Sequence, residues 1–233
     1  KTGITQESAF MQTIIIGRVN LSFTILAIYI IDKFGRKPLL LIGTAAMAVC
    51  LFTNAWAFHS ATYVLTEEAV QELPADVGEA LVPLIGQTYH SQSEFTDTLD
   101  QAGAAEHSAA LVNPSMNISA QLVLFAIMGY IAAFAISLGP VMWALFSEIF
   151  PNQLRGVAIS FVGMINSMVS FMVQLLFPLE LSVLGAALTF FSYFVFAVIG
   201  LILVAWLLPE TKGKSLEELE TMFGTKASTG SPA

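Results

Sequence analysis

Five apolar runs dominate this chain: Ala9 to Ile31, Leu39 to Phe58, Ala120 to Phe146, Val157 to Phe177 and Leu184 to Leu208. Each is long enough to cross a bilayer, which takes about 20 predominantly apolar residues in helical form. A bilayer core offers no water to unpaired N–H and C=O groups, so such runs are expected as α-helices. Only 11% of the residues are charged, against about 25% in an ordinary soluble domain. The fold class expected is therefore an all-α membrane protein with five transmembrane helices.

The links between the runs divide the chain further. Residues 1–58 hold two spans joined by the tight cytoplasmic link Asp32-Lys33-Phe34-Gly35-Arg36-Lys37-Pro38. Residues 59–119 form one long hydrophilic segment, within which nine of the seventeen acids fall and no Lys or Arg. It has helix-compatible stretches at Thr66 to Leu73 and Val77 to Leu81 and a turn signal at Asn113-Pro114. Loops of this length are functional or disordered more often than not. Residues 120–208 hold three spans and the link SEIFPNQLRG, and residues 209–233 form a tail with an amphipathic Ser215 to Met222. If the five spans alternate, Lys33, Arg36, Lys37, Arg155, Lys212, Lys214 and Lys226 share one side. The positive-inside rule makes that side cytoplasmic and the acidic segment extracytoplasmic. The chain would then begin outside at Lys1, with no initiator Met and no signal sequence. A piece of a longer polypeptide, with an even number of spans, removes that difficulty.

The most informative stretch is Gly139 to Gly156, GPVMWALFSEIFPNQLRG. Pro140 removes one backbone donor and crowds the preceding turn, so a kink is expected at Gly139-Pro140. Irregular backbone at membrane depth is tolerated only where protein buries it or a wet cavity receives it. Trp143 stands four residues after Gly139, on the same helical face. By position alone it is as well explained as an interfacial belt residue. Elsewhere, Thr13, Asn20 and Thr24 share a stripe of the first span, and Asn166, Ser170 and Gln174 one of the fourth. Arg18 lies about 200° round the helix from Asn20 and cannot face the same cavity. Gly129, Ala133 and Ser137 give the third span a face of small residues for close helix approach.

Amides match a ligand whose hydroxyls both donate and accept, and an indole can cover an apolar C–H face while donating from its nitrogen. The neutral stripes thus point to an uncharged, hydroxyl-bearing small molecule. His59, His90 and His107 have no metal-site spacing and read as solvated, and Cys50 lies alone in an apolar run. No nucleophile, acid-base or metal constellation can be assembled, so neither an enzyme nor a metal or cofactor site is expected. No nucleic-acid partner is expected either.

Four motifs occur in order: DKFGRK after the first span, GPVMW in the third, SEIFPNQLRG after it and PETKG after the last. Together they resemble the C-terminal half, helices eight to twelve, of a sugar porter of the major facilitator superfamily. QTIIIGRVNLSFTILAIYIIDKFGRKPL looks closest to bacterial xylose-proton symporters. The resemblance implies a twelve-helix protein of the plasma (bacterial inner) membrane that moves a monosaccharide by alternating access, its N-terminal half lying outside this chain. It implies proton coupling too, although the coupling acid of those symporters lies in their first helix. Residue by residue, Gly139 and Trp143 match the substrate-contacting GPxxW motif, Asn20 an asparagine of helix eight, and Phe134 a pocket aromatic. Asn166 stands where the symporters have a glutamine and Ser167 where the family has a second tryptophan. Asp32, Arg36, Glu148 and Arg155, with Glu210 as a further member, match the cytoplasmic motifs and imply a charge latch closed in the outward-facing state. Lys33 and Lys37 read as topological anchors. The alternatives are a superfamily transporter of another neutral metabolite, and a nontransporting sugar receptor or scaffold whose long acidic loop binds a partner.

Overall fold

In the computed structural model, residues 6–71, 73–150, 153–208, 210 and 212 are described. The first two apolar runs form α1 (Gln6–Phe34) and α2 (Arg36–His59), separated by Gly35 alone. Both helices extend beyond the apolar runs because the charged link residues remain helical, with Pro38 in the first turn of α2. A proline there costs little, since first-turn N–H groups have no intrahelical acceptor.

The third run is one candidate span, as expected, but its break is displaced from the expected place. It forms α7 (Ala120–Ile136) and α8 (Leu138–Ile149), broken at Ser137 (φ −119°, ψ −92°). The break thus falls two residues before Gly139-Pro140. The proline ring would collide with the carbonyl four residues earlier, that of Ile136, so the helix ends there and restarts with Pro140 in its first turn.

The last two runs form α9 (Arg155–Leu207), whose one non-helical residue is Gly185 (φ 74°, ψ 165°). The expected link over residues 178–183 is helical instead, and the chain reverses at Gly185. Phe177 and Tyr193 face each other at 6.2 Å, and the Tyr193 hydroxyl donates to Glu180 Oε2 at 2.9 Å, so 155–184 and 186–207 form a hairpin. A left-handed φ favours glycine, which lacks the Cβ that would clash. Length and apolarity qualify four helices as candidate spans: Thr13–Ile31 within α1, Arg36–His59, Ala120–Ile149 and Arg155–Leu207. The hairpin makes the last of these two passes, five among the described residues.

The helices pack around α2. Phe58 stacks on Phe190 at 5.4 Å and Phe52 tilts against Phe194 at 5.3 Å, fixing α2 antiparallel to 186–207. On its other side α2 meets the small-residue face of α7. A Cβ on Gly43 would stand 2.0 Å from Ser137 Oγ, and one on Gly129 would stand 3.0 Å from Cys50 Sγ. Small residues here let the backbones approach closely. Leu39, Leu40, Val141 and Leu145 bury together at the charged end of the bundle, with Val204 and Leu208 against them.

The hydrophilic segment is a folded subdomain. Three short strands, β1 (Thr62–Val64), β2 (Thr88–Tyr89) and β3 (Met116–Asn117), make an antiparallel sheet in the order β2-β1-β3. Around it lie α3 (Glu67–Gln71), α4 (Ala75–Leu81), α5 (Gln92–Gln101) and α6 (Ala105–Ser115). Its core gathers Tyr63, Leu65, Leu81, Tyr89, Phe95, Leu99 and Leu111, with Phe95 packed on both tyrosines at 5.6 and 5.4 Å. Asn113-Pro114, read as a turn, ends α6 in helical form. The preceding turn of that helix buries Leu111 and Val112, which holds the backbone helical against the local turn preference. The amphipathic Ser215 to Met222, Lys214 and Lys226 lie outside the described residues.

Candidate functional site

After the Ser137 break, α8 packs against α1, α2 and α9. Ser137 is fully buried and its hydroxyl donates to the Ala133 carbonyl at 2.6 Å, while Val141 N donates to the Ser137 carbonyl at 3.0 Å. Backbone polar groups freed by the break are thereby satisfied. Directly after it, a Cβ on Gly139 would lie 3.4 Å from the Phe134 carbonyl and 3.7 Å from its ring. Phe134 and Gly139 therefore share one wall.

Trp143 follows one turn later and is 44% exposed. Its ring meets the edge of Phe146 at 6.0 Å and 89°, and its Cη2 lies 3.7 Å from where a Gly163 Cβ would stand. The indole thus lies within van der Waals reach of α9 at Gly163, a neighbour that spacing along the chain did not reveal. Asn166 stands three residues on, on the same face as Gly163, and is exposed. Phe134, Gly139 and Trp143, beside Gly163 and Asn166, are thus carried by α7, α8 and α9. Asn20 is exposed on α1, which packs on α7 and α8; its Oδ1 accepts from Thr24 Oγ1 at 3.3 Å. Arg18 is exposed as well. The side chains of Phe134, Trp143, Asn166 and Asn20 are phenyl, indole and amide groups, all uncharged.

A second constellation lies at the charged end. The Arg36 guanidinium reaches Glu148 Oε1 through Nη2 at 2.7 Å and Nε at 2.9 Å, with side chains only 17% and 22% exposed. Glu210 accepts from the backbone N of Arg36 at 3.1 Å and of Lys37 at 3.2 Å. A helix N-terminus leaves N–H groups unpaired and favours negative charge. Gly35, the residue before α2, has no side chain with which to cap them, so Glu210 acts as the cap. Gly35 also adopts φ 93°, and a Cβ there would come within 2.8 Å of the Glu210 carboxylate. Lys37 Nζ donates to the Ala205 carbonyl at 2.9 Å and Lys212 Nζ to that of Lys33. The ends of α1, α2, α8 and α9 are joined into one plate. Arg155 donates from Nε to the Phe150 carbonyl at 3.3 Å. The Asp32 side chain lies outside the described residues, as do Pro209, Thr211 and Gly213 of PETKG. The capping role of Glu210 was missed in the sequence, although Gly35 at the N-cap was the signal for it.

At the opposite end a cavity of about 410 Å³ opens between the subdomain and the α9 turn. It brings His59 and His90 together with Gln92 and Ser182 beside Gly185, a juxtaposition that the spacing of the histidines did not foretell.

The family of sugar (and other) transporters matches residues 1–72 and 104–223. The D-xylose-proton symporter of Escherichia coli K12 is 32% identical over 95% of this chain and 35% of its own length. The facilitated glucose transporter member 10 of Mus musculus is 30% identical, over 94% of this chain and 46% of its own. The arabinose-proton symporter of Bacillus subtilis is 29% identical, over 95% and 36%. The chain spans about a third of the length of the two symporters it matches. The solved proton:xylose symporter bound to 6-bromo-6-deoxy-D-glucose superposes with a TM-score of 0.65 at 30% identity, covering 95% of this chain and 36% of that one. An inward-open xylose transporter from E. coli gives 0.60 at 31% identity, covering 91% and 35%.

Proposed function

The chain belongs to the family of sugar (and other) transporters, and from that premise we propose that it forms the C-terminal helices of a monosaccharide transporter working by alternating access. Its membrane is the plasma (bacterial inner) membrane, its partner the remainder of a twelve-helix polypeptide, and the co-substrate a proton, after the xylose and arabinose relatives. The observation that carries this reading is the broken helix at Ser137, which sets Phe134, Gly139 and Trp143 on one wall beside Gly163 and Asn166. Discontinuous helices near the bilayer midplane are where transporters of this type hold substrate. The uncharged surface suits a sugar: the indole covers C–H groups, while Asn166 and Asn20 exchange hydrogen bonds with hydroxyls. The plate of Arg36, Glu148 and Glu210 sits on the cytoplasmic side by the positive-inside rule, with Asp32 and Arg155 as further members of a latch. The subdomain, residues 59–119, is then extracytoplasmic.

Reconstitution of the full-length protein in proteoliposomes tests the reading. Labelled xylose or glucose should enter in counterflow, should be displaced by unlabelled sugar and not by unrelated neutral metabolites, and should accumulate under an imposed proton gradient. Sugar binding without flux would instead favour a receptor.

A further inference from the structure

The cavity beside Gly185 continues into a second one. A groove of about 310 Å³ runs along the outside of α2 and 186–207, lined by Phe52, Trp56, Leu188 and Phe191. His59 and Ala187 line both. The first cavity is polar, presenting His90, Gln92, Thr96, Ser108 and Ser182, whereas the groove is apolar and its Trp56, Leu188 and Phe191 are 57%, 58% and 45% exposed. Both cavities have volumes in the range of small-molecule sites, about 300 to 1,000 Å³. A polar chamber opening onto an apolar channel at the end of membrane-spanning helices has the shape of an amphiphile.

We propose that the two form one site for a membrane lipid with an uncharged, hydroxyl-rich headgroup, a glycosyl diacylglycerol. One acyl chain lies along Trp56, Leu188 and Phe191, and the headgroup enters the chamber past His59. The lining selects for hydroxyls. Thr96, Ser108 and Ser182 donate their protons to backbone carbonyls at 2.9 to 3.0 Å, leaving oxygen lone pairs to accept from headgroup hydroxyls. The Gln92 amide, whose Oε1 lies 3.2 Å from where a Gly185 Cβ would stand, both donates and accepts. Among the described residues, no Asp, Glu, Lys or Arg lines either cavity. The nearby Glu94 carboxylate, which accepts from the His90 backbone N at 3.2 Å, opposes a phosphate. His90, Gln92 and Thr96 belong to residues 73–103, which the transporter family does not match. The headgroup chamber thus joins residues outside the matched stretches to His59, Ser108 and Ser182 within them, and the apolar groove lies wholly within them.

Native mass spectrometry of the full-length protein, given equimolar monoglucosyl diacylglycerol and phosphatidylcholine with identical acyl chains, tests the proposal. The glucolipid adduct should exceed the phosphatidylcholine adduct about five-fold, equivalent to about 1 kcal/mol and to one additional hydrogen bond. Gln92→Leu, which keeps the side-chain volume, should bring the ratio close to one, and Ala187→Leu, which narrows the neck, should reduce both adducts. Equal adducts in the unmodified protein would identify annular lipid only and overturn the proposal. So would a preference for phosphatidylglycerol in a third arm, or a glucolipid preference that survives Gln92→Leu.

Discussion

Replacing Glu148 by Gln tests the cytoplasmic plate. Exposed ion pairs are worth about 0 to 1 kcal/mol, but Arg36 and Glu148 are 17% and 22% exposed and joined by two contacts, at 2.7 and 2.9 Å. Hydrogen bonds to charged groups contribute about 1.5 to 3 kcal/mol and neutral ones about 0.5 to 1.5. Glu148→Gln keeps an acceptor for Arg36 and removes the charge, so the loss is about 1 to 2 kcal/mol. Glu210 continues to cap α2, so the plate should loosen rather than dissolve. If the plate is intact in the outward-facing state and open in the inward-facing one, the equilibrium between them shifts about five- to thirty-fold toward inward-facing. A cysteine at Leu145, 5% exposed beneath the plate, reports on opening when Cys50 is replaced by Ser. Its labelling rate from the cytoplasmic side should rise by that factor in Glu148→Gln, while net transport slows and sugar affinity holds. Unchanged labelling together with normal transport would reduce the cluster to a topological anchor and refute the latch.

Three further outcomes follow from other parts of the structure. Gly43→Ala should lower the thermal midpoint, because its Cβ would meet Ser137 Oγ at 2.0 Å and overpacking costs about 1 to 3 kcal/mol, outweighing a helix-propensity gain of at most about 1; Ser137→Gly in the same protein should restore it. Arg18→Leu should change expression or folding more than sugar affinity, since Arg18 lies about 200° round α1 from Asn20; a large affinity loss in normally expressed protein would contradict this. Burial pushes the Tyr63 and Tyr89 hydroxyls up, at Tyr89 with help from the Glu94 carboxylate and against a lowering hydrogen bond from Thr98. Their contribution to subdomain stability is then fully present below the unfolded value of about 10 and is lost as pH rises through the folded values; near-ultraviolet circular dichroism should show that loss, smaller in Tyr63→Phe with Tyr89→Phe.

What could be read in the sequence was set by the range of the forces involved. Bilayer-length apolar runs are a local signal, and all five passes were legible from them. Chain reversal was harder to place. The bounds of the fourth and fifth runs left residues 178–183 as the link, yet Glu180 is stabilised in the helix by the Tyr193 hydroxyl across the hairpin, and Gly185 takes the left-handed turn. The Ser137 break was displaced for a similar reason. Pro140 dictates that the helix must stop, but the buried Ser137 and its close partner Gly43 decide where. The subdomain was illegible because strands of two or three residues carry no periodicity, although Phe95 and Leu99, four apart in α5, were a trace of its core. The sequence singled out Gly139 and Trp143 on one helical face, whereas the approach of Trp143 to Gly163 of α9 is a long-range contact that spacing does not carry.

The central claim, that Trp143 stands over a bound sugar, is tested most directly by titrating xylose and glucose against the full-length protein and its Trp143→Phe and Trp143→Ala variants. Loss of the indole hydrogen bond and ring contact should cost about 1 to 3 kcal/mol, or about five- to 150-fold in affinity, with Ala more severe than Phe. Unchanged affinity in both variants would leave Trp143 as an interfacial belt residue and contradict the account.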